Sequence, residues 1–200
     1  RSARRIAVDA GQRPDVLRYL SGTGNERAQL FGIAAHIADQ YSVGVEMYDS
    51  QAELITWAGP GGPNARREVR IALDGQMTSS VLRTPVFSQL FVATPIRSEG
   101  RILGVVVIRQ TLETRYPFSN RYIDRSGLAE RLSSELGVQV EFDFTQHPER
   151  FRPPGWSTAP LVGIDSTRLG VVNALAPGVD LAREYLSEVL ASAHILLLAF

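Results

Sequence analysis

Residues 89–112 decide the fold, and they read Gln-Leu-Phe-Val-Ala-Thr-Pro-Ile-Arg-Ser-Glu-Gly-Arg-Ile-Leu-Gly-Val-Val-Val-Ile-Arg-Gln-Thr-Leu. Two apolar runs, Leu90–Ile96 and Ile102–Ile108, flank the polar loop Arg97–Arg101. A loop of this length that contains a glycine, here Gly100, between β-branched runs predicts a β-hairpin. The second run is apolar on both faces, whereas a strand with one solvated face alternates apolar and polar residues. We therefore expect a central strand that is covered on both sides.

The composition excludes several classes of function. The chain has 200 residues, of which 44% are apolar and 21% charged, and its formal net charge is zero. Without a basic cluster, we do not expect the chain to bind nucleic acid. All 21 basic residues are arginine, so the chain has no lysine for a Schiff base or a phosphate-binding loop. The absence of cysteine excludes disulfides and thiolate metal sites.

The sequence contains no recognisable catalytic or metal site. The three histidines are scattered, and none has the spacing of a metal ligand; they are His36, His147 and His194. Two carboxylate pairs, Glu46/Asp49 and Glu141/Asp143, lie on predicted strands next to turns, where such pairs usually face solvent. We therefore expect neither an enzyme nor a bound cofactor or metal.

The first part of the chain predicts an α+β module. After an N-terminal helical segment (residues 1–25), a helix with one apolar stripe is expected over Glu26–Tyr41. A hairpin follows from Val43–Tyr48 and Leu54–Ala58, then a short helix over Ala65–Leu73 and a strand over Met77–Arg83. With the first hairpin, this order predicts a five-stranded antiparallel sheet with flanking helices over residues 26–114.

A shorter second module is expected over residues 122–176. A linker at 115–121 leads into a helix from about Ile123 to Leu136, which ends at a glycine, and a strand over Val138–Phe144 follows. A third hairpin is predicted from Pro160–Ile164 and Leu169–Ala174. The remaining residues, 177–200, predict a final helix.

Two short sequence patterns occur in both modules in the same order. Val43-Gly44-Val45-Glu46 follows the helix of the first module, and Val138-Gln139-Val140-Glu141 follows that of the second. Leu103-Gly104-Val105-Val106 closes the first module, and Leu169-Gly170-Val171-Val172 closes the second. Each tetrapeptide is common in strands, but their shared order predicts a structural repeat.

The spacing within the repeat places a ligand site in the first module. About 60 residues separate the two patterns in the first module and about 30 in the second, so the second lacks the short helix and middle strand that would enclose a pocket. We expect a cavity lined by both Met77–Arg83 and Leu90–Ile96. Strand alternation and aromatic or cationic character select five candidate ligand-binding residues, namely Trp57, Arg83, Phe91, Ala93 and Arg109.

The C-terminal residues leave two alternatives open. The apolar run Ala191–Phe200 is either the start of a membrane-spanning helix or part of a helix docked on its own domain. Apolar residues from Val179 to Phe200 also recur at alternating spacings of three and four. This spacing is typical of a coiled-coil seam, through which two chains would form a homodimer.

The hairpin Phe91-Val-Ala-Thr-Pro-Ile-x-x-x-Gly-x-Ile-Leu-Gly-Val-Val-Val resembles the closing strands of extracytoplasmic Cache domains, the PAS-like sensor modules of bacterial receptors. The order of the preceding elements extends this resemblance over Glu26–Leu112. Together with the abbreviated second PAS-like module, the chain resembles the sensor region of a membrane-bound histidine kinase. The resemblance implies a periplasmic location, a small-molecule ligand over the first sheet, and a last helix that leads into the membrane.

One residue departs from the pattern of the family. Members that bind dicarboxylates often carry an arginine on the strand before Thr-Pro-Ile, where this chain has Phe91. Arg83 or Arg109 could replace that arginine. The sequence thus favours an extracytoplasmic domain that senses an unknown small molecule and relays the signal to a cytoplasmic kinase module. The alternatives are a cytoplasmic GAF- or PAS-type regulatory domain and a dimerisation module that binds no ligand.

Overall fold

A computed structural model describes residues 2–24, 27–60, 65–114, 128–144 and 155–175. The chain divides into two compact units. The described residues among 1–80 and 90–110 belong to the first unit, and those among 81–89 and 111–198 belong to the second. The domain boundaries expected from the sequence stay predictions.

The first two helices begin at residues that favour a helix N-terminus. Ser2 caps the first helix, because its side-chain oxygen accepts a hydrogen bond from the backbone N–H of Arg5 at 3.0 Å. Pro14 occupies the first position of the second helix, where its missing N–H costs nothing. The described helices are α1 (Ala3–Gly11), α2 (Pro14–Leu20), α3 (Arg27–Tyr41), α4 (Arg66–Leu73) and α5 (Leu128–Leu136).

The first sheet is the predicted five-stranded antiparallel sheet. Its strands are β1 (Gly44–Asp49), β2 (Leu54–Ala58), β3 (Thr78–Arg83), β4 (Phe87–Ser98) and β5 (Arg101–Thr114). They are ordered β2-β1-β5-β4-β3, so the β4–β5 hairpin occupies the middle of the sheet. Glu99 and Gly100 form its turn with φ of 49° and 77°, as a two-residue hairpin turn requires.

The β4–β5 hairpin is longer than its apolar runs predicted. Where the strands continue past these runs, polar side chains form hydrogen bonds with one another. Ser88 donates a hydrogen bond to Glu113 at 3.2 Å, and Gln89 lies 3.5 Å from the hydroxyl of Thr111. Hydrophobic patterning could not mark strand residues of this kind.

The two faces of the first sheet differ in what covers them. Gly11 of α1 lies against Ile96 and Val106, and Leu20 of α2 lies against Gly104, so α1 and α2 pack on one face. We call this face the helix-packed face. Val105–Ile108 of β5 have no exposed surface, which confirms the prediction of a strand covered on both sides.

A separate three-stranded sheet forms the core of the second unit. It contains β6 (Gln139–Asp143), β7 (Trp156–Val162) and β8 (Arg168–Leu175), in the order β6-β8-β7. Both strand pairs are antiparallel. The predicted second, abbreviated module is therefore confirmed.

The predicted repeat is visible in the register of the two sheets. In the first sheet, Glu46 on β1 lies opposite the third residue after Gly104 on β5. In the second sheet, Glu141 on β6 lies opposite the third residue after Gly170 on β8. The two sequence patterns therefore occupy equivalent positions on equivalent strand pairs.

The same close backbone contact explains why each closing strand has a glycine at this position. A Cβ atom on Gly104 would lie 2.2 Å from the carbonyl oxygen of Tyr48, and one on Gly170 would lie 2.5 Å from that of Asp143. The two carbonyls belong to equivalent positions of β1 and β6. Both strand pairs therefore approach more closely than any residue with a Cβ atom permits.

Some predicted elements lie outside the described residues. They are the linker at 115–121, the first turn of the second module's helix, and the final helix at 177–200 with its coiled-coil seam. In the part of the chain that the structure does describe, we find no helix of the length and apolar character that crossing a bilayer requires.

Candidate functional site

A polar cluster is buried in the first sheet, on the face opposite the helix-packed face. Side chains alternate along a strand, so Glu46 and Tyr48 of β1 share one face. Gly44 lies directly opposite Arg109 of β5, and residues opposite each other in an antiparallel pair point to the same side. Glu46, Tyr48 and Arg109 thus meet on one face, and we call them the polar cluster.

An ion pair forms the centre of the cluster. Nε of Arg109 lies 2.8 Å from Oε1 of Glu46, and the two side chains are 1% and 0% exposed. The Tyr48 hydroxyl donates a hydrogen bond to Oε2 of the same carboxylate. Removing two charges from water costs several kcal/mol per ion, so an ion pair at this depth needs good geometry and additional hydrogen bonds to persist.

Gly44 makes room for the arginine. A Cβ atom at this position would lie 3.1 Å from Nε of Arg109 and 3.0 Å from the carbonyl oxygen of Pro60. The guanidinium therefore lies across the surface that a side chain at residue 44 would occupy. The glycine of the Val-Gly-Val-Glu pattern is explained by the arginine opposite it.

Burial shifts the pKa values of two groups in the cluster. It raises the pKa of Glu46, and the Tyr48 hydrogen bond and the charge of Arg109 only partly oppose it. Burial and the hydrogen bond to Glu46 also raise the pKa of Tyr48. Tyr48 is therefore a stable hydrogen-bond donor, whereas Glu46 can take up a proton more readily than a carboxylate in water.

Helix α4 adds charges near the cluster. The carboxylate of Glu68 contributes to the raised pKa of Glu46, and the charge of Arg66 acts on Tyr48. Ser80 of β3 donates a hydrogen bond to Glu68 at 2.7 Å, which ties α4 to the sheet. A molecule bound between α4 and the cluster would therefore contact both positive and negative side chains.

Four of the five predicted ligand-binding residues share the face of the polar cluster. Arg109 belongs to the cluster, and Trp57 on β2 lies opposite Glu46, with 46% of its surface exposed. Phe91 and Ala93 are buried on β4. Alternation places them on the side of Arg109, because Ile96 and Val106 both face α1. Arg83 lies exposed at the end of β3, in the second unit. That these residues bind a ligand stays a prediction.

Sequence reasoning missed Glu46 and Tyr48. The expectation that Glu46 and Asp49 form a solvated pair is wrong, because the two side chains leave opposite faces of β1. Glu46 is buried beside Arg109, while Asp49 accepts hydrogen bonds from the backbone N–H groups of Gln51 and Glu53 in the turn. The available signal was Arg109, a charged residue that directly follows the apolar run Ile102–Ile108 on the same strand.

Among the described residues of the second unit, the equivalent positions do not form such a cluster. By the register of the repeat, Glu141 corresponds to Glu46, Leu175 to Arg109 and Gln139 to Gly44. Glu141 is exposed and accepts a hydrogen bond from the amide of Gln139 at 2.8 Å. The buried ion pair therefore distinguishes the first module from its shorter copy.

Two clefts of the first unit are lined by residues that the structure describes. One, of about 280 Å³, is lined by α1 residues together with Met77, Thr94 and Pro95. It thus touches both segments from which a cavity was expected, but it opens on the helix-packed face. The other, of about 380 Å³, lies at the β2 edge between Trp57 and the exposed Phe31. In the described residues, no group of three histidine or acidic side chains could hold a metal ion.

Comparisons with known proteins agree with this architecture. No protein-family model and no curated protein sequence matches the chain. The ligand-binding domain of the Pseudomonas fluorescens chemoreceptor CtaA, solved with L-isoleucine, is similar in structure. The similarity has a TM-score of 0.50 and 11% identity, and it covers 92% of this chain and 85% of that chain.

Other sensor domains match with lower TM-scores. The sensor domain of the Vibrio cholerae histidine kinase DctB has a TM-score of 0.42 and 13% identity, over 90% of this chain and 86% of that chain. The Escherichia coli DcuS sensor domain has a TM-score of 0.42 and 19% identity, over 54% of this chain and 84% of that chain.

Proposed function

We propose that this chain, which has the Cache-like fold of bacterial extracytoplasmic sensor domains, is itself a sensor domain that binds a small polar molecule at the polar cluster. The buried ion pair of Arg109 and Glu46 carries the proposal. Ionisable groups whose pKa values are shifted by burial and by a specific charged partner are typical of functional sites. The predicted residues Phe91 and Ala93 lie on the same face.

The charges of the cluster favour a zwitterionic ligand such as an amino acid. A carboxylate would bind Arg109, while an ammonium group would bind Glu46 and the nearby Glu68. A dicarboxylate would meet the buried Glu46, whose negative charge repels it. The L-isoleucine bound to the CtaA domain supports this class of ligand.

The ligand would enter between α4 and the sheet. The cluster has almost no exposed surface, so binding requires α4 to move or the ion pair to open. A ligand that replaced both partners would leave neither charge unpaired, which is the condition for binding at a buried ion pair. Displacement of α4 is thus the first step of the signal.

Signal relay completes the proposal. The domain lies on the periplasmic side of the membrane, and the helix predicted from the sequence for residues 177–200 connects it to a cytoplasmic histidine kinase module. A homodimer through the terminal helices would allow ligand binding to bias two arrangements of those helices. The support for this part is the resemblance of the sequence to sensor regions of membrane-bound kinases.

A thermal-shift screen tests the proposal. The twenty L-amino acids, γ-aminobutyrate and the dicarboxylates succinate and fumarate are added separately to the chain. A ligand at 100 times its dissociation constant stabilises the fold by about 2.7 kcal/mol. We expect an amino acid to raise the melting temperature, and E46Q to weaken its binding about tenfold or more. T56V, at a buried position on a different strand, is the control.

One observation favours a second function. Arg109 and Glu46 already balance each other's charge without a ligand. A dimerisation module that binds nothing would have such a core. The same screen distinguishes the two, because a module of this kind would respond to none of the compounds, and that result would overturn the sensor proposal.

A further inference from the structure

The cleft on the helix-packed face is lined by side chains from several elements of the first unit. It lies between the end of α1, the start of β3 and the second half of β4, and its volume is about 280 Å³. That volume lies just below the range of about 300–1,000 Å³ that is usual for small-molecule sites, so only a small ligand fits. The residues that line it are Ala7, Val8, Gly11, Gln12, Gly75, Met77, Thr94, Pro95 and Arg97.

Arg97 is held at the rim of the cleft by a specific contact. Its Nη2 donates a hydrogen bond to the carbonyl oxygen of Gly75 at 2.7 Å. Gly75 has φ of 92°, and a Cβ atom there would lie 2.8 Å from the same nitrogen. The turn after α4 therefore needs glycine to seat the guanidinium. Of the described residues that line the cleft, only Arg97 carries a charge.

Thr94 supplies an unused polar group in the wall. The residue is 7% exposed, and its hydroxyl has no hydrogen-bond partner in the described part of the chain. A buried hydroxyl without a partner destabilises a fold, so its position beside a cleft is informative. A change of χ1 exchanges its methyl and hydroxyl groups and would direct the hydroxyl towards a bound molecule.

We propose that this cleft is a second ligand site, which takes a small aliphatic monocarboxylate. The hydrocarbon chain lies against Ala7, Val8, Met77 and Pro95, and the carboxylate binds Arg97 at the rim. The Thr94 hydroxyl donates to the ligand once it has turned. This site goes beyond the proposed sensor function, because it lies on the other face of the sheet and uses no residue of the polar cluster.

Occupation of the cleft would couple α1 to the sheet. Gly11 already lies against Ile96 and Val106, so a molecule beside it would extend this contact along the end of α1. The ligand would also touch the turn at Gly75, which ends α4. Binding there would slow the opening of the interface between α1 and β4.

Titration with sodium hexanoate, followed by amide NMR, tests the site. We expect saturable shifts of amides in residues 7–12 and 94–97, and weaker shifts with 1-hexanol, which lacks the charge. R97Q should weaken hexanoate binding about tenfold or more. The control is R101Q, at an exposed arginine outside the cleft that should leave the affinity unchanged.

T94V separates a binding role from a structural one. Because the hydroxyl has no partner, its replacement by a methyl group should raise the melting temperature while weakening hexanoate binding. Shifts that do not saturate, shifts confined to other segments, or equal affinities of R97Q and R101Q would overturn the proposal. So would a T94V variant that binds hexanoate as tightly as the wild-type chain.

Discussion

At the scale of single residues, Arg109 and Glu46 form the most consequential contact in the first unit. Each is buried, and each is opposite in charge to its neighbour, 2.8 Å away. Removing one partner of such a pair typically destabilises a protein by about 3–5 kcal/mol, since it leaves a buried charge uncompensated, whereas replacing both by apolar groups is often neutral. We therefore expect the pair to fix the arrangement of this face rather than to add much net stability.

The raised pKa of Glu46 makes stability depend on pH. A carboxyl group whose folded pKa lies above its unfolded value favours folding when protonated. That contribution is complete below the ordinary carboxyl pKa of 4.5 and is lost as the pH rises from there through the folded pKa. Compared with E46Q, the wild-type chain should lose up to about 1.4 kcal/mol of stability per pH unit within this window.

Urea unfolding of the wild type and E46Q between pH 4.5 and 8 measures this difference. E46Q removes the titrating group and keeps its size, and E53Q in the exposed β1–β2 turn is the control. A stability difference between wild type and E46Q that stays constant, or that changes in favour of the wild type as the pH rises, would contradict the assignment.

At the scale of elements, the same strand pair occurs twice with one register. In both the β1–β5 and the β6–β8 pair, a glycine lies against a carbonyl of the partner strand. In both, a glutamate of the partner strand lies opposite the third residue after that glycine. The first pair contains Arg109 and, opposite it, Gly44, which makes room for the arginine in the buried cluster. The second has Leu175 and Gln139 in those positions and stays an ordinary half-exposed sheet.

The close approach of the strands gives an expectation for two equivalent glycines. G104A and G170A should each destabilise the chain by about 1–3 kcal/mol, because the new methyl group would meet a backbone carbonyl that cannot move aside. The control is G32A, in α3, where no atom lies within 4 Å of the new methyl group. This variant should stabilise by about 0.5–1 kcal/mol.

Thermal or urea unfolding of the three variants provides the measurement. Equal effects of G104A and G170A would support the equivalence of the two pairs. If G170A behaved like G32A, the second strand pair would not share the close approach of the first.

The elements were easier to foresee than the site, for a physical reason. Apolar periodicity and turn residues are local signals, so the sequence predicted the central hairpin, the five-stranded sheet and the repeat. The ends of β4 and β5 were missed because Ser88 and Glu113 satisfy each other, which no local pattern reveals. Glu46 was misjudged because its burial depends on Arg109, a residue far along the chain that only the strand pairing brings near.

At the scale of the whole molecule, two units with related sheets differ in chemistry. The first has a buried ion pair near α4 and a cleft beside α1, whereas the second has Leu175 in the position of Arg109 and an exposed Glu141 in that of Glu46. A sensor domain needs a site where binding changes a structural element. Helix α4 is suited to this role, because it is short and the Glu68–Ser80 hydrogen bond ties it to the sheet.

Hydrogen exchange with and without the amino acid that stabilises the chain most tests the central claim directly. If the polar cluster is the ligand site, amides of β1 (Gly44–Asp49) and α4 (Arg66–Leu73) should exchange about tenfold more slowly with the ligand, and E46Q should abolish the difference. Unchanged exchange in both segments, or slowing confined to α1 or to the second sheet, would contradict the claim that this face binds the signal.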